Sequence, residues 1–136
     1  MNDIAKLIVR TNWLFEANLA QFRQINNDIK RISPRFLSIT SISNAIKKIS
    51  LSQTLLKQGT KEFNALLRNN NLQKNNYTRI YNLYIKRSVI ILHESFVYIE
   101  QLQNSNMVSS EFINKMLFLK KLMKELENVF ILVLSS

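Results

Sequence analysis

DIAKLIVRTNWLFEANLAQFRQINNDIKRI, residues 3–32, is followed at once by Ser33-Pro34. At 100° per residue, Ile4, Leu7, Ile8, Thr11, Leu14, Phe15, Asn18, Leu19, Phe22, Ile25 and Ile29 fall in one stripe, so the stretch predicts an amphipathic helix from about Asp3 to Ile32. Pro34 ends it, because the residue before a proline is pushed out of the α region.

The same periodicity recurs three times downstream. A second helix is expected over about Ser41 to Arg68, burying Ala45, Ile49, Leu56, Phe63 and Leu67, with Thr40 or Ser41 as its cap. Gly59 lies inside it at a cost of about 1 kcal/mol relative to Ala, which points to a kink or a close helix contact. The asparagine-rich run from Asn69 to Asn76 reads as a loop, because Asn side chains compete for the backbone. A third helix is expected from about Tyr77 to Gln103, with Tyr77, Tyr81, Tyr84, Ser88, Ile91, Leu92, Ser95, Ile99 and Leu102 inward. After Asn104-Ser105-Asn106, Ser109 or Ser110 can cap a fourth helix whose stripe includes Phe112, Met116, Leu119, Leu122, Met123, Leu126, Val129, Phe130 and Val133. Glu111 falls in its first turn, where the helix dipole favours an anion. Short connections between four helices of about 40 Å make neighbours antiparallel. The expectation is an all-α, antiparallel up-down-up-down four-helix bundle that uses residues 1–136 as one domain.

Composition agrees with this reading. One Gly and one Pro in 136 residues argue against hairpin-rich folds, Rossmann units and P-loops, all of which need glycine turns. With no Cys, disulfide scaffolds, cysteine zinc sites and thiol catalysis are excluded. No segment reaches the roughly 18 apolar residues of a membrane span, and Met1-Asn2-Asp3-Ile4-Ala5-Lys6 lacks the layout of a signal peptide, so a cytoplasmic protein is expected.

Charge is distributed unevenly. Residues 1–28 are neutral and residues 94–136 sum to −1, whereas residues 29–93 hold twelve Lys and Arg against Glu62 alone, a net +11. On the second helix Lys47, Lys57, Lys61 and Arg68 project opposite the apolar arc, with Ser50, Thr54 and Asn64 among them. On the third, Arg79, Asn82 and Lys86 make a polar row. Together with Arg35 and Lys74 these rows predict a surface that neutralises phosphates and releases counterions without reading sequence, while the hydroxyls and amides suit phosphate and sugar oxygens. The plain alternative is a solvated face. The spacing of Tyr77, Tyr81 and Tyr84 favours a core role over base stacking.

Other signals are slighter. Trp13 stands opposite the main stripe of the first helix, near Val9, Ala17 and Ala20, and with Phe118 on the last helix it marks a candidate contact between subunits. Arg87 and His93, in Arg-Ser-Val-Ile-Ile-Leu-His, resemble the Arg-x(4–6)-His motif of HEPN ribonucleases, with Ser88 where that family usually has Asn; the resemblance would make the pair act on RNA. No metal set forms around the one His, and no cofactor or catalytic residue is expected.

The layout as a whole, with a first helix broken by Ile32-Ser33-Pro34-Arg35, two basic middle helices and a last helix entered through Met107-Val108-Ser109-Ser110-Glu111-Phe112, resembles the four-helix accessory variability determinant proteins of diversity-generating retroelements and the related small proteins of ribosomal intervening sequences. The Gly and Trp such proteins carry near the end of the last helix are replaced here by Glu127-Asn128-Val129-Phe130. That resemblance implies a basic oligomeric barrel binding nucleic acid and a reverse transcriptase. The residues themselves predict a non-enzymatic RNA- or DNA-backbone-binding subunit of a larger assembly. The alternative is a protein-interaction module (effector, immunity or scaffold subunit) whose cationic face meets an acidic protein partner.

Overall fold

The computed structural model describes residues 3–135; Met1 and Asn2, which entered the signal-peptide argument, lie outside the described residues. Helix α1 spans Asp3–Ile29 and helix α2 spans Thr40–Arg68. Helix α3 is α-helical over Lys74–Ile80, π-helical over Tyr81–Ile85 and α-helical again over Lys86–Gln101, and α4 spans Ser110–Ser135. Among the described residues there is no strand, and the chain is all-α.

Local chemistry sets the ends. The last residues expected in α1 wind into tighter turns, with Arg31 N–H donating to Asp28 O at 3.0 Å and Ile32 N–H to Ile29 O at 3.1 Å. Pro34 then opens a short 3₁₀ turn, Pro34–Phe36. The cap of α2 differs from expectation. Its N-cap is Ile39 without a side-chain bond, and Ser41 Oγ instead donates to Gln101 Oε1 on α3 at 2.6 Å. At the other end Asn70 takes φ 51°, Asn71 N–H donates to Leu66 O at 2.9 Å and Asn70 N–H to Leu67 O at 3.3 Å. This is a Schellman stop with Asn in the left-handed position usually held by Gly. It confines the loop, so α3 starts at Lys74, inside the asparagine run. Ser109 caps α4 as expected, its Oγ accepting Phe112 N–H at 3.1 Å.

The most extensive contacts join α2 to α3 and α1 to α4. Side-chain links pair residues in opposite order along the chain: Lys48–Glu94, Ser52–Ser88 and Glu62–Arg79 for the first pair, Arg10–Glu125, Asn18–Leu122 and Gln21–Lys115 for the second. At the core, Phe63 of α2 and Phe130 of α4 each meet Phe15 of α1 and Tyr77 of α3. Phe15 lies 5.3 Å from Phe63 and 5.9 Å from Phe130, and Tyr77 lies 5.9 Å from Phe63 and 5.4 Å from Phe130, centroid to centroid. All four are buried, each contributing about 1.5–3 kcal/mol by leaving water.

Between α2 and α3 the packing is close because the residues are small. Ser52 and Ser88, both fully buried, each donate to the other's backbone carbonyl at 2.9 Å. Two turns further along α2, Gly59 faces Tyr84, and a Cβ at Gly59 would stand 2.9 Å from Tyr84 Cβ. The close-contact reading of Gly59 is therefore the one realised. The π segment lies opposite. It lets both Ile80 and Ile85, five residues apart, reach the core at 1% and 0% exposure. A straight helix would place them about 140° apart. Tyr81 and Tyr84, expected in the core, are correspondingly turned toward its edges and remain half-buried.

Candidate nucleic-acid interface

On α2, Lys47, Lys57, Lys61 and Arg68 are all exposed. The helix register puts Lys57, Lys61 and Arg68 within about 40° of one another, opposite the line of Ser52 and Gly59 that meets α3, with Lys47 about 60° to one side. Among the described residues none of the four makes an ion pair, because the acids near them are already engaged: Glu62 by Arg79 at 2.6 Å and Glu94 by Lys48 at 3.3 Å. From Lys47 to Arg68 the row is about 31 Å long at 1.5 Å per residue. Ser50 and Thr54 are exposed beside it; the Thr54 hydroxyl donates back to Ser50 O at 3.0 Å, leaving its oxygen as an acceptor.

Arg35 and Lys74 are exposed just beyond the two ends of α2, in the turn before Thr40 and at the start of α3. The Arg35 guanidinium lies 4.6 Å over the Phe36 ring, which keeps its face partly occupied.

The row expected on α3 is divided by the π segment. Arg79 turns toward α2, where Glu62 takes its Nη1 at 2.6 Å and the Tyr84 hydroxyl at 2.9 Å. The Glu62 carboxylate raises the Arg79 pKa, and desolvation, followed by the bond to Glu62, raises that of Tyr84. Lys86, seven residues later, is exposed and lines instead a groove between α3 and α4. A mirror of the first triad sits there: Lys124 donates to Glu127 Oε1 at 2.8 Å and Tyr81 lies 3.5 Å from Glu127 Oε2. The bond to Glu127 raises the Lys124 pKa, while desolvation first and Glu127 second raise that of Tyr81. The structure thus keeps the α2 row together, places Arg79 on its α3 flank as a paired cation, and sends Lys86 to a different helix pair.

Glu127, 7% exposed, is a buried acid that the charge count passes over. Its position four residues after Met123 on the apolar arc of α4 is the signal that could have found it. Arg87 and His93 are both exposed; His93 lines the α3–α4 groove and Arg87 does not. No group of three or more potential metal ligands occurs among the described residues. Trp13 is 59% and Phe118 49% exposed, and Trp13 lines a shallow hollow of about 340 Å³ with Lys6, Val9 and Arg10. No described helix is long and apolar enough to cross a membrane.

Comparison with known proteins adds no assignment. No family model, curated protein or solved structure matches this chain.

Proposed function

We propose that the chain is a non-enzymatic, cytoplasmic nucleic-acid-binding protein, an antiparallel up-down-up-down four-helix bundle that holds RNA or DNA by its backbone along the outer face of α2. The observation that carries this reading is the row Lys47, Lys57, Lys61 and Arg68, exposed and, among the described residues, without acidic partners, on a helix whose single acid is spoken for by Arg79. Four cations over about 31 Å follow a phosphate chain, and their neutralising effect is independent of base sequence. Arg35 and Lys74 extend the track at its ends. The resemblance to accessory variability determinant proteins points the same way, toward a basic subunit working on nucleic acid within an assembly.

The test is fluorescence-anisotropy titration of nuclease-treated protein with single- and double-stranded RNA and DNA at several salt concentrations. Replacing Lys57, Lys61 and Arg68 with Glu should lower the slope of log K against log salt by about 2 to 3, at about 0.7–0.9 for each phosphate no longer neutralised. An unchanged slope in the folded triple variant removes the surface. A second reading, a protein-interaction module, is favoured by the exposure of Trp13 at 59% and Val9 at 66% on one strip of α1. Loss of a partner or of self-association on Trp13→Ala, with nucleic-acid binding intact, would select it.

A further inference from the structure

The groove between α3 and α4 has a volume of about 580 Å³, within the range of about 300–1,000 Å³ typical of small-molecule sites. Its apolar surface is Val89, half-buried, and Ile90, 50% exposed, above a floor of the buried Leu92 and Met123. On α3 it extends from Tyr81 to Glu94, about 20 Å at 1.5 Å per residue. Of the charges that line it, both carboxylates are engaged: Glu94 by Lys48 at 3.3 Å and Glu127 by Lys124 at 2.8 Å. Lys86 and Lys120 remain, Lys120 with its ammonium 5.0 Å from the centre of the Phe96 ring. The groove is therefore an open, largely apolar trough whose lining cations Lys86 and Lys120 have no carboxylate partner among the described residues. Phosphate backbones have no use for its walls, and no α2 residue lines it.

We propose that this groove binds a free single-chain carboxylate, the acyl tail laid along Val89 and Ile90 and the carboxylate met at the lip by Lys86 and Lys120. Tail burial supplies affinity and the ammonium groups select the anionic head. The site is independent of the α2 row, so its failure leaves the nucleic-acid reading where it was.

The probe is dansyl undecanoate, displaced from the whole chain by octanoate, decanoate or dodecanoate below their micelle concentrations. Saturable binding should tighten about fourfold per added methylene, the equivalent of about 0.8 kcal/mol. Lys86→Glu combined with Lys120→Glu should weaken dodecanoate at least tenfold with the far-UV circular dichroism unchanged. Val89→Trp, at a half-buried position of the groove, should abolish binding, and Val9→Asp on α1 should leave it intact. The proposal is overturned by any of three results: no saturable displacement, dodecyltrimethylammonium binding as tightly as dodecanoate, or dansyl signal arising only with anionic phospholipid vesicles.

Discussion

Gly59→Ala should destabilise the protein, against the usual preference for Ala in helices. In an exposed helix interior this change gains about 1 kcal/mol. Here the new methyl would stand 2.9 Å from Tyr84 Cβ and 3.4 Å from Tyr84 Cγ, and a Cβ cannot swing away without its backbone. That backbone belongs to the π segment, held between the buried Ile80 and Ile85, while the Tyr84 hydroxyl is tied to Glu62 at 2.9 Å. Relief has to come from separating α2 and α3, which stretches the Ser52–Ser88 bonds. Overpacking of this kind costs about 1–3 kcal/mol, so the net effect is a loss of about 1 kcal/mol and a fall in Tm of about 2–5 °C. Urea denaturation followed by circular dichroism measures it, with Gln58→Ala on the exposed side as a control expected within about 0.5 kcal/mol of the parent. A variant stabilised by the full 1 kcal/mol or so expected of an open helix site would show that α2 and α3 do not approach as described.

Among the described residues the Tyr77 hydroxyl is buried without a hydrogen-bond partner, and desolvation pushes its pKa up to about 12. Because the folded state holds this proton while the unfolded chain releases it above pH 10, stability should fall between pH 10 and about 12 by on the order of 2–3 kcal/mol; Tyr77→Phe should flatten that alkaline limb and stabilise the protein modestly at neutral pH in chemical denaturation. Phe130 packs against the rings of Phe15, Phe63, Tyr77 and Tyr81, so Phe130→Ala should cost about 3–5 kcal/mol in the same assay. Glu62→Gln releases Arg79 beside the α2 row and should steepen the salt dependence of nucleic-acid binding by about 0.7–0.9 in slope, whereas an unaltered slope would place Arg79 outside the track.

The helices and most of their buried faces are legible in the sequence because burial follows the 3.6-residue period. Every residue of the expected α4 stripe from Phe112 to Phe130 is buried. Pro34 and Ser109 act through strong local chemistry, so they too could be read directly. Tyr81–Ile85 could not, since Tyr-Asn-Leu-Tyr-Ile carries no local mark of a π turn. Its widening follows from tertiary demand, the core accepting both Ile80 and Ile85. That one feature is why Arg79 and Lys86, nearly coincident in a straight helix, serve different neighbours. Helix register alone supplied the α2 row, because exposure there depends on one helix. The α3–α4 groove depends on two helices and on which cations already have partners, and neither is written in spacing.

A π turn amounts to one residue accommodated without lengthening the fold, which is what a three-nucleotide insertion in a gene would leave behind. Removing one residue from 81–85 would restore a continuous α-helix in which Ile80 and the present Ile85 stand four residues, about 40°, apart, so both still face the core and everything after keeps its orientation. Lys86, Ile90 and His93 would then keep their neighbours, whereas straightening the helix with all five residues retained would turn the three together by about 100°. The surface that the second half of α3 presents therefore depends on the extra residue being held as one wide turn.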